Sequence, residues 1–254
     1  MILDNFRLEG HVALVTGARQ GLGQAFAVAL AEAGADIAAL DRADVDETGA
    51  LIGGLGRRCV PIQCDLRAAS VADLNQIVER VAADLGRLDI LVNNAGIIRR
   101  APAIEFAEAD WDDVLQINLK AVFFLSQAAA KVMVRQGRGK IINVASMLSF
   151  QGGIIVPSYT AAKSGVAGIT RALANEWAKH NVNVNAIAPG YMATDNTAPL
   201  RADPTRSTSI LSRIPAGRWG TPEDLKGIAV FLASPASDYM HGAIIPVDGG
   251  WLTR

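Results

Sequence analysis

Short apolar runs alternate with helix-forming stretches along the whole chain, and this alternation limits the possible folds more than any other feature. Seven runs have the length of buried strands. They are 12–16, 36–40, 59–64, 88–94, 140–146, 182–189 and 243–249. Strands joined by helical crossovers run parallel, and such crossovers are right-handed. We therefore expect an α/β fold with a doubly wound, Rossmann-like sheet of about seven parallel strands and helices on both faces.

The length of the chain favours one domain. Its 254 residues lie within the usual range for a single α/β domain, so we expect 1–254 to fold as one unit. Helices are predicted at 23–34, 70–86 and 221–235, and a weaker one at 45–55, where three glycines lower the helix propensity. Segment 190–220 interrupts the alternation and carries three prolines. Long excursions of this kind are often binding loops, so we expect 190–220 to cover a substrate.

Charge and cysteine content narrow the classes of partner. The formal net charge is −1 and the isoelectric point is about 6.3, which gives no electrostatic reason to expect nucleic acid or an anionic membrane. No signal pattern and no apolar run of about 18 residues is present, so we expect no membrane insertion. An extended strand would hold Cys59 and Cys64 roughly 17 Å apart, too far for a disulfide. Free thiols predict a cytoplasmic protein, and the near-neutral charge favours small-molecule ligands.

A glycine-rich turn follows the first strand directly. The sequence TGARQGLG at 16–23 opens an alanine-rich helix, and Gly17, Gly21 and Gly23 leave its backbone N–H groups accessible. Backbone donors at a helix N-terminus bind pyrophosphate. A glycine trio alone is also compatible with a tight structural turn, and the surrounding strand–turn–helix pattern favours a dinucleotide site.

Polar residues at the next strand ends refine the expected cofactor. Asp41 ends the second strand, where a carboxylate can accept hydrogen bonds from both adenosine ribose hydroxyls and repel a 2′-phosphate. This favours NAD. The adjacent Arg42 could instead pair with a 2′-phosphate, so NADP stays possible. Asp65 follows the third strand and is placed to meet the adenine edge, and NNAG at 93–96 ends the fourth with a glycine that admits a ligand.

Four residues form a candidate reacting group. If 158–180 is a helix, Tyr159 and Lys163 lie one turn apart on the same face. A nearby ammonium would lower the pKa of the phenol toward neutrality, as acid–base catalysis needs. Ser146 ends the fifth strand and could hydrogen-bond the substrate oxygen, whereas Asn118 lies within a predicted helix and could hold a water near Lys163. Each residue alone is typical of a structural role, and only the combination indicates catalysis.

The competing chemistries lack their motifs. The sequence contains no CxxC or HxxxH metal spacing and no GxSxG nucleophile elbow. We therefore expect no metal site.

The chain carries TGARQGLG, NNAG, Asn118, Ser146, YTAAK, PG at 189–190 and VDGG. With these features together it resembles the short-chain dehydrogenase/reductase family over essentially its whole length. The resemblance implies that Tyr159 is the general acid/base and Lys163 its pKa-lowering partner and ribose contact. It further implies that Ser146 polarises the substrate and Asn118 anchors a proton relay. The implied cofactor-binding residues are Gly17, Arg19, Gln20, Gly21, Leu22, Gly23, Asp41, Asp65, Leu66, Asn93, Ala95, Gly96, Tyr159, Lys163, Pro189, Gly190 and Thr194.

A narrower resemblance concerns the substrate. The segments NNAGIIRR, ASMLSFQGG, ANEWAKHN, GYMATDNT and RIPAGRWG are similar to those of family members that act on sugar acids in uronate breakdown. This implies interconversion of a ketone and a secondary alcohol, with a carboxylate that could pair with Arg99 or Arg100. Besides Ser146 and Tyr159, Gln151 and Met192 are further candidates to line the substrate pocket. The family also implies a homo-oligomer, with a tetramer favoured.

Three other functions stay open. Gluconate 5-keto reduction and 3-oxoacyl reduction would use the same reacting groups, although an acidic carrier protein would need a basic surface that the near-neutral charge does not indicate. A nucleotide-sensing regulator would keep the cofactor site and have no need for Ser146, Tyr159 and Lys163 together.

Overall fold

One sheet organises the molecule. The computed structural model describes residues 1–253, and its seven strands lie in the order β3-β2-β1-β4-β5-β6-β7 with every neighbouring pair parallel. The predicted doubly wound fold with seven parallel strands is confirmed. The strands are β1 (Val12–Thr16), β2 (Asp36–Asp41), β3 (Cys59–Gln63), β4 (Ile90–Asn93), β5 (Gly139–Val144), β6 (Val182–Pro189) and β7 (Ile244–Val247).

The helices pack on both faces of the sheet, as predicted. On one face α3 packs against α5, and on the other α1 packs against α9. They are α1 (Gly21–Glu32), α2 (Asp46–Gly54), α3 (Val71–Leu85), α4 (Glu108–Leu115), α5 (Ala121–Gln136), α6 (Pro157–Trp177), α7 (Ala198–Ala202), α8 (Pro204–Leu211) and α9 (Lys226–Ala233).

Alternation along each strand builds a separate core on each face. In β1, Val12 and Leu14 join the cluster beneath α3 and α5, whereas Ala13 and Val15 join the cluster beneath α1 and α9. Every residue of this strand is buried. Because successive side chains of a strand point to opposite faces, a continuous apolar run is what a sheet covered on both sides requires.

Helix ends account for most differences from the sequence-based bounds. The predicted helix 221–235 begins as the 3-10 turn Pro222–Leu225, in which the Asp224 carboxylate accepts from the Thr221 backbone N–H at 2.7 Å. Helix α9 follows and ends at Ala233. The residue before a proline avoids the α region, and Ser234 precedes Pro235, so the helix stops earlier than predicted.

The strand order reverses between β1 and β4, and this places a crevice at the carboxyl ends of these two strands. Segment 190–220, which contains α7 and α8, lies above part of that edge. Its inner face packs on the end of the chain, in a cluster formed by Met147, Ile210, Ile214 and Trp251.

One described helical stretch, Glu108–Gln136, has the length and mean hydropathy of a membrane span, although it contains no unbroken apolar run of about 18 residues. The stretch is long because α4, a π-helical turn at Gln116–Lys120 and α5 follow one another without a break. Within the most apolar window 56% is buried inside the fold, and core helices pass the same test of length and composition.

Candidate active site

A cavity of about 640 Å³ opens at the reversal of strand order, within the usual size range of ligand pockets. The glycine-rich turn, the ends of β2, β3 and β4, the start of α6 and the start of segment 190–220 surround it. Of the predicted residues, those lining it are Gly17, Arg19, Gln20, Gly21, Leu22, Asp41, Asp65, Leu66, Ala95, Gly96, Arg99, Tyr159, Lys163 and Thr194.

Two glycines of the glycine-rich turn, Gly17 and Gly23, have no room for a side chain. Gly17 has φ +67°, and a Cβ there would lie 2.9 Å from Asn94 Nδ2 and 3.0 Å from Ala95 Cα. A Cβ at Gly23 would lie 1.9 Å from the Gly17 carbonyl oxygen. The turn therefore brings bare backbone to the start of α1, where a helix attracts phosphate. This geometry fits the pyrophosphate of a dinucleotide.

Asn94 ties the glycine-rich turn to the end of β4. Its Nδ2 donates to the carbonyls of Thr16 at 2.9 Å and Gly17 at 3.3 Å, and Thr16 Oγ1 accepts from the N–H groups of Asn94 and Ala95, each at 3.0 Å. The sequence predicts Asn93, not Asn94, as a cofactor-binding residue. Asn93 is buried in the core, where its Nδ2 donates to Ser126 Oγ and Asn143 Oδ1. In NNAG, the alternation of β4 directs the first amide inward, and the chain leaves the strand before the second.

The adenosine end of the cavity presents charges of both signs. The two carboxylate oxygens of Asp41 accept from the backbone N–H groups of Arg19 at 3.2 Å and Ala43 at 3.3 Å. The exposed Arg42 lines the same end, and Gln63 Nε2 donates to its carbonyl at 3.1 Å. Both the carboxylate that would favour NAD and the guanidinium that would favour NADP are therefore in place.

Tyr159 and Lys163 lie one turn apart at the start of α6, where Pro157 occupies the first turn. Lys163 is 3% exposed, and its Nζ donates to the Val144 carbonyl at 2.6 Å. The same Nζ is 5.6 Å from the centroid of the Tyr159 ring. Ser146 follows β5 beside them, and its Oγ accepts from the Leu148 N–H at 3.2 Å.

Burial dominates the electrostatics of this pair. It raises the pKa of Tyr159, and the Ser146 hydroxyl and the Arg100 guanidinium oppose that rise. It also lowers the pKa of Lys163 to about 8. The sequence predicts that Lys163 lowers the pKa of Tyr159. In the structure the Lys163 ammonium donates to the Val144 carbonyl instead, and Ser146 and Arg100 are the groups that lower this pKa.

Asn118 lies in the π-helical turn and is fully buried. Its Oδ1 accepts from the Ile97 N–H and its Nδ2 donates to the Ile97 carbonyl, both at 2.9 Å. π-Helical turns inside α-helices are frequent at functional sites. Here the amide holds the loop after NNAG in position, a task that the sequence pattern did not reveal.

The predicted substrate residues fall into different surroundings. Arg99 is paired with Asp110 at 3.1 Å and Asp113 at 3.6 Å. Arg100 donates to the Asn196 carbonyl at 3.0 Å.

The other predicted residues lie away from the cavity lining. Met192 is 5% exposed and packs in the core, and Gln151 is half-buried in the loop after β5. Pro189 ends β6, and a Cβ at Gly190 would lie 2.5 Å from Asp248 Cα, so this glycine serves a close backbone approach. Within residues 1–253, no three His, Cys, Asp or Glu side chains are grouped to hold a metal ion.

Comparison with known proteins decides the family. Residues 11–205 match the short chain dehydrogenase family. The chain belongs to this family. This short-chain dehydrogenase is 61% identical to the 2-dehydro-3-deoxy-D-gluconate 5-dehydrogenase of Escherichia coli K12 over 100% of both chains, and 51% identical to that of Bacillus subtilis 168 over 99% and 98%. It is an oxidoreductase, as these relatives are.

Solved structures agree with this placement. The gluconate 5-dehydrogenase of Burkholderia cenocepacia in complex with NADP and tartrate is 38% identical to this short-chain dehydrogenase, covers 100% of both chains and superposes with a TM-score of 0.95. An Agrobacterium tumefaciens protein with bound NADP is 56% identical, with a TM-score of 0.90 over 99% of this chain and 100% of the other.

Proposed function

We propose that this chain is a nicotinamide-dependent dehydrogenase that interconverts a ketone and a secondary alcohol on a sugar acid, most specifically a 2-dehydro-3-deoxy-D-gluconate 5-dehydrogenase. One observation carries the proposal: Tyr159 and Lys163 line a cavity of about 640 Å³ at the ends of the strands, and the Ser146 hydroxyl is close enough to Tyr159 to lower its pKa. Full-length relatives at 51–61% identity with this activity support the choice of substrate.

The cavity has the parts that a nicotinamide dinucleotide needs. The bare backbone before α1 would hold the pyrophosphate, and Asp41 and Arg42 would meet the adenosine ribose. When bound, the cofactor supplies or accepts the hydride.

Ser146 would hydrogen-bond the substrate oxygen, and Tyr159 would transfer the proton. Ser146 Oγ accepts from the Leu148 N–H and lies beside the Tyr159 hydroxyl, so Ser146 would donate its hydrogen to a substrate oxygen that meets both hydroxyls. Tyr159 gives its proton to that oxygen during reduction and takes it back during oxidation. A phenol with a raised pKa is suited to the reducing direction, since it is protonated near neutrality.

Lys163 and Asn118 would act by holding neighbouring parts of the site in position. Lys163 is anchored at Val144, at the end of β5 two residues before Ser146, and so fixes the two reacting elements relative to each other. Asn118 holds Ile97, which lines the cavity beside Gly96.

Arg100 is the better candidate for the substrate carboxylate. Arg99 already has two carboxylate partners within 3.6 Å, whereas Arg100 has a backbone carbonyl and is close enough to Tyr159 to lower its pKa. A guanidinium without an acidic partner gains more from a substrate carboxylate than one that is already neutralised.

For the cofactor, we propose NAD with NADP also accepted. Asp41 is held by two backbone donors and would meet the ribose hydroxyls, while the exposed Arg42 is free to approach a 2′-phosphate. Three similar proteins crystallised with NADP support this second capacity.

We further propose that 1–254 is one domain that works in the cytoplasm, as a homotetramer, in uronate breakdown, with 190–220 as the substrate cover. The single domain rests on the length of the chain, the cytoplasmic location on its free cysteines and the cover on the long excursion at 190–220. The tetramer and the uronate pathway rest on the family resemblance. Light scattering of the purified protein tests the tetramer, because a monomeric mass would refute it.

The test of the proposed function is a substrate panel. We expect rapid NADH oxidation with the 3-deoxy-2,5-diketo sugar acid, and slower turnover with 5-ketogluconate and with 3-oxoacyl thioesters. A preference for 5-ketogluconate would make the chain a gluconate 5-dehydrogenase. Dinucleotide binding without turnover of any substrate would favour the regulator.

A further inference from the structure

Asp195 lies at the start of segment 190–220 and faces the cofactor cavity. Its Oδ2 accepts from Gln20 Nε2 at 2.7 Å. Gln20 is the N-cap residue of α1, and its side chain makes no capping hydrogen bond to that helix. The pair therefore joins the phosphate-binding turn to a segment 175 residues away in the chain.

Neighbouring contacts fix Asp195 in this position. Thr197 Oγ1 donates to the Met192 carbonyl, and Arg100 Nη2 donates to the Asn196 carbonyl at 3.0 Å. The Thr194 methyl lies 3.9 Å from where a Cβ of Gly21 would be, so segment 190–220 passes close to the first residue of α1. The Asp195 carboxylate is thus exposed to solvent but tied to the helix start by its hydrogen bond with Gln20.

The charge of Asp195 opposes the ligand of this site. A helix N-terminus attracts phosphate, and a carboxylate close to the same donors is repelled by a bound diphosphate. Within residues 1–253 no cation forms an ion pair with Asp195. The Asp195 carboxylate is therefore not neutralised by an ion pair within the described residues, and its charge acts on the phosphate site beside that of Arg19, which lines the same cavity.

We propose that Asp195, positioned by Gln20, weakens dinucleotide binding and thereby speeds release of the cofactor. This inference rests on the proposed function, since it assumes that the cavity binds a nicotinamide dinucleotide. Asp195 is then a residue that sets cofactor affinity through its charge, and Gln20 is the positioning residue that keeps the charge near the phosphates.

The direct test is NADH binding, followed by NADH fluorescence in the absence of substrate. Asp195→Asn keeps an oxygen that can accept from Gln20 and removes the charge. We expect the dissociation constant for NADH to fall about three- to tenfold at low salt, with a slower dissociation rate. Because screening weakens repulsion between exposed charges, this gain shrinks at about 1 M salt.

A double-mutant cycle tests the role of Gln20. In a Gln20→Ala background the carboxylate is free to turn away, so we expect Asp195→Asn to change the dissociation constant by less than half as much on a logarithmic scale. Glu79→Gln in α3 removes an exposed carboxylate far from the cavity and serves as the control, with no change expected.

Two results would overturn the inference alone: an unchanged or weaker affinity in Asp195→Asn, or a gain of the same size at low and high salt. If the wild-type protein binds neither NADH nor NADPH, the proposed function fails and this inference fails with it. The two failures are therefore distinguishable in one set of titrations.

Discussion

Arg99 and Arg100 are neighbours in the chain with opposite surroundings, and this makes them a matched pair for mutation. We predict that Arg100→Ala raises KM for the sugar acid about 10- to 100-fold, because a charge-assisted contact to the substrate carboxylate is lost. Arg99→Ala should leave KM within about threefold, since Arg99 is paired with Asp110 and Asp113. Initial rates over a range of substrate concentrations measure both.

Arg100→Lys keeps the charge and should recover part of the lost affinity. An equal KM for the wild type and Arg100→Ala would contradict the assignment, as would a larger effect at Arg99.

The buried ammonium of Lys163 predicts a pH-dependent stability. Its pKa is lowered from 10.5 to about 8, so the folded protein binds fewer protons than the unfolded chain between about pH 8 and 10.5. Stability therefore rises with pH through this window, by about 3 kcal/mol for a shift of this size. We expect the free energy of unfolding of the wild type to rise between pH 7.5 and pH 10 relative to that of Lys163→Met.

Urea unfolding of both proteins at the two pH values measures this difference, and the titrations common to both cancel. A constant difference between the two proteins would show that Lys163 keeps an ordinary pKa in the folded state.

The sequence predicted which residues belong to the site better than it predicted the hydrogen bonds that these residues make. Spacing was sufficient to place Tyr159 and Lys163 on one helix face. It could not distinguish Asn93 from Asn94, because the choice depends on the residue at which the chain leaves β4. It also could not reveal that Asn118 binds the Ile97 backbone, since a π-helical turn has no simple sequence signature.

Two glycines in different helices test what the elements require. Gly23 in α1 faces the Gly17 carbonyl, and a Cβ there would lie 1.9 Å from that oxygen. Gly53 in α2 has nothing within 4 Å of the same position. We predict that Gly23→Ala weakens NADH binding at least tenfold and lowers the melting temperature, whereas Gly53→Ala stabilises the protein by about 0.5–1 kcal/mol through helix propensity.

Thermal unfolding and NADH titration of both variants check this pair. A Gly23→Ala protein that binds NADH normally would show that the close approach of α1 to the glycine-rich turn is not needed.

Among the elements, continuous apolar runs predicted all seven strands. The inner strands β1, β2, β4, β5 and β6 are almost entirely buried because helices cover both faces of the sheet, whereas the edge strands β3 and β7 are only partly buried. The ends of helices were predicted less well. The sequence indicates Pro222 as a helix start, but the switch from a 3-10 turn to α9 depends on hydrogen bonds that Asp224 makes to Thr221.

At the scale of the whole molecule, the end of the chain holds segment 190–220. Trp251 is 3% exposed, its ring is 4.8 Å from that of Tyr191, and the Arg213 guanidinium lies 4.0 Å from it. We predict that Trp251→Ala raises hydrogen exchange across 200–214 several-fold more than across α3 and raises KM for the substrate. Trp111→Ala, at a half-exposed tryptophan in α4, is the control.

Uniform exchange in Trp251→Ala would mean that segment 190–220 is held by other contacts. The sequence predicted this segment as a separate excursion. Its packing on Trp251 joins residues about 40 to 60 positions apart in the chain, so it could not be predicted from a local pattern.

Tyr159 is the residue proposed to transfer the proton in a sugar-acid dehydrogenase, and Tyr159→Phe removes the hydroxyl that would do so. NADH oxidation with the 3-deoxy-2,5-diketo sugar acid should fall at least 100-fold in this variant, because the hydroxyl is lost while the ring is kept. The dissociation constant for NADH should stay within about threefold of the wild-type value. Full turnover by Tyr159→Phe would show that Tyr159 does not transfer the proton.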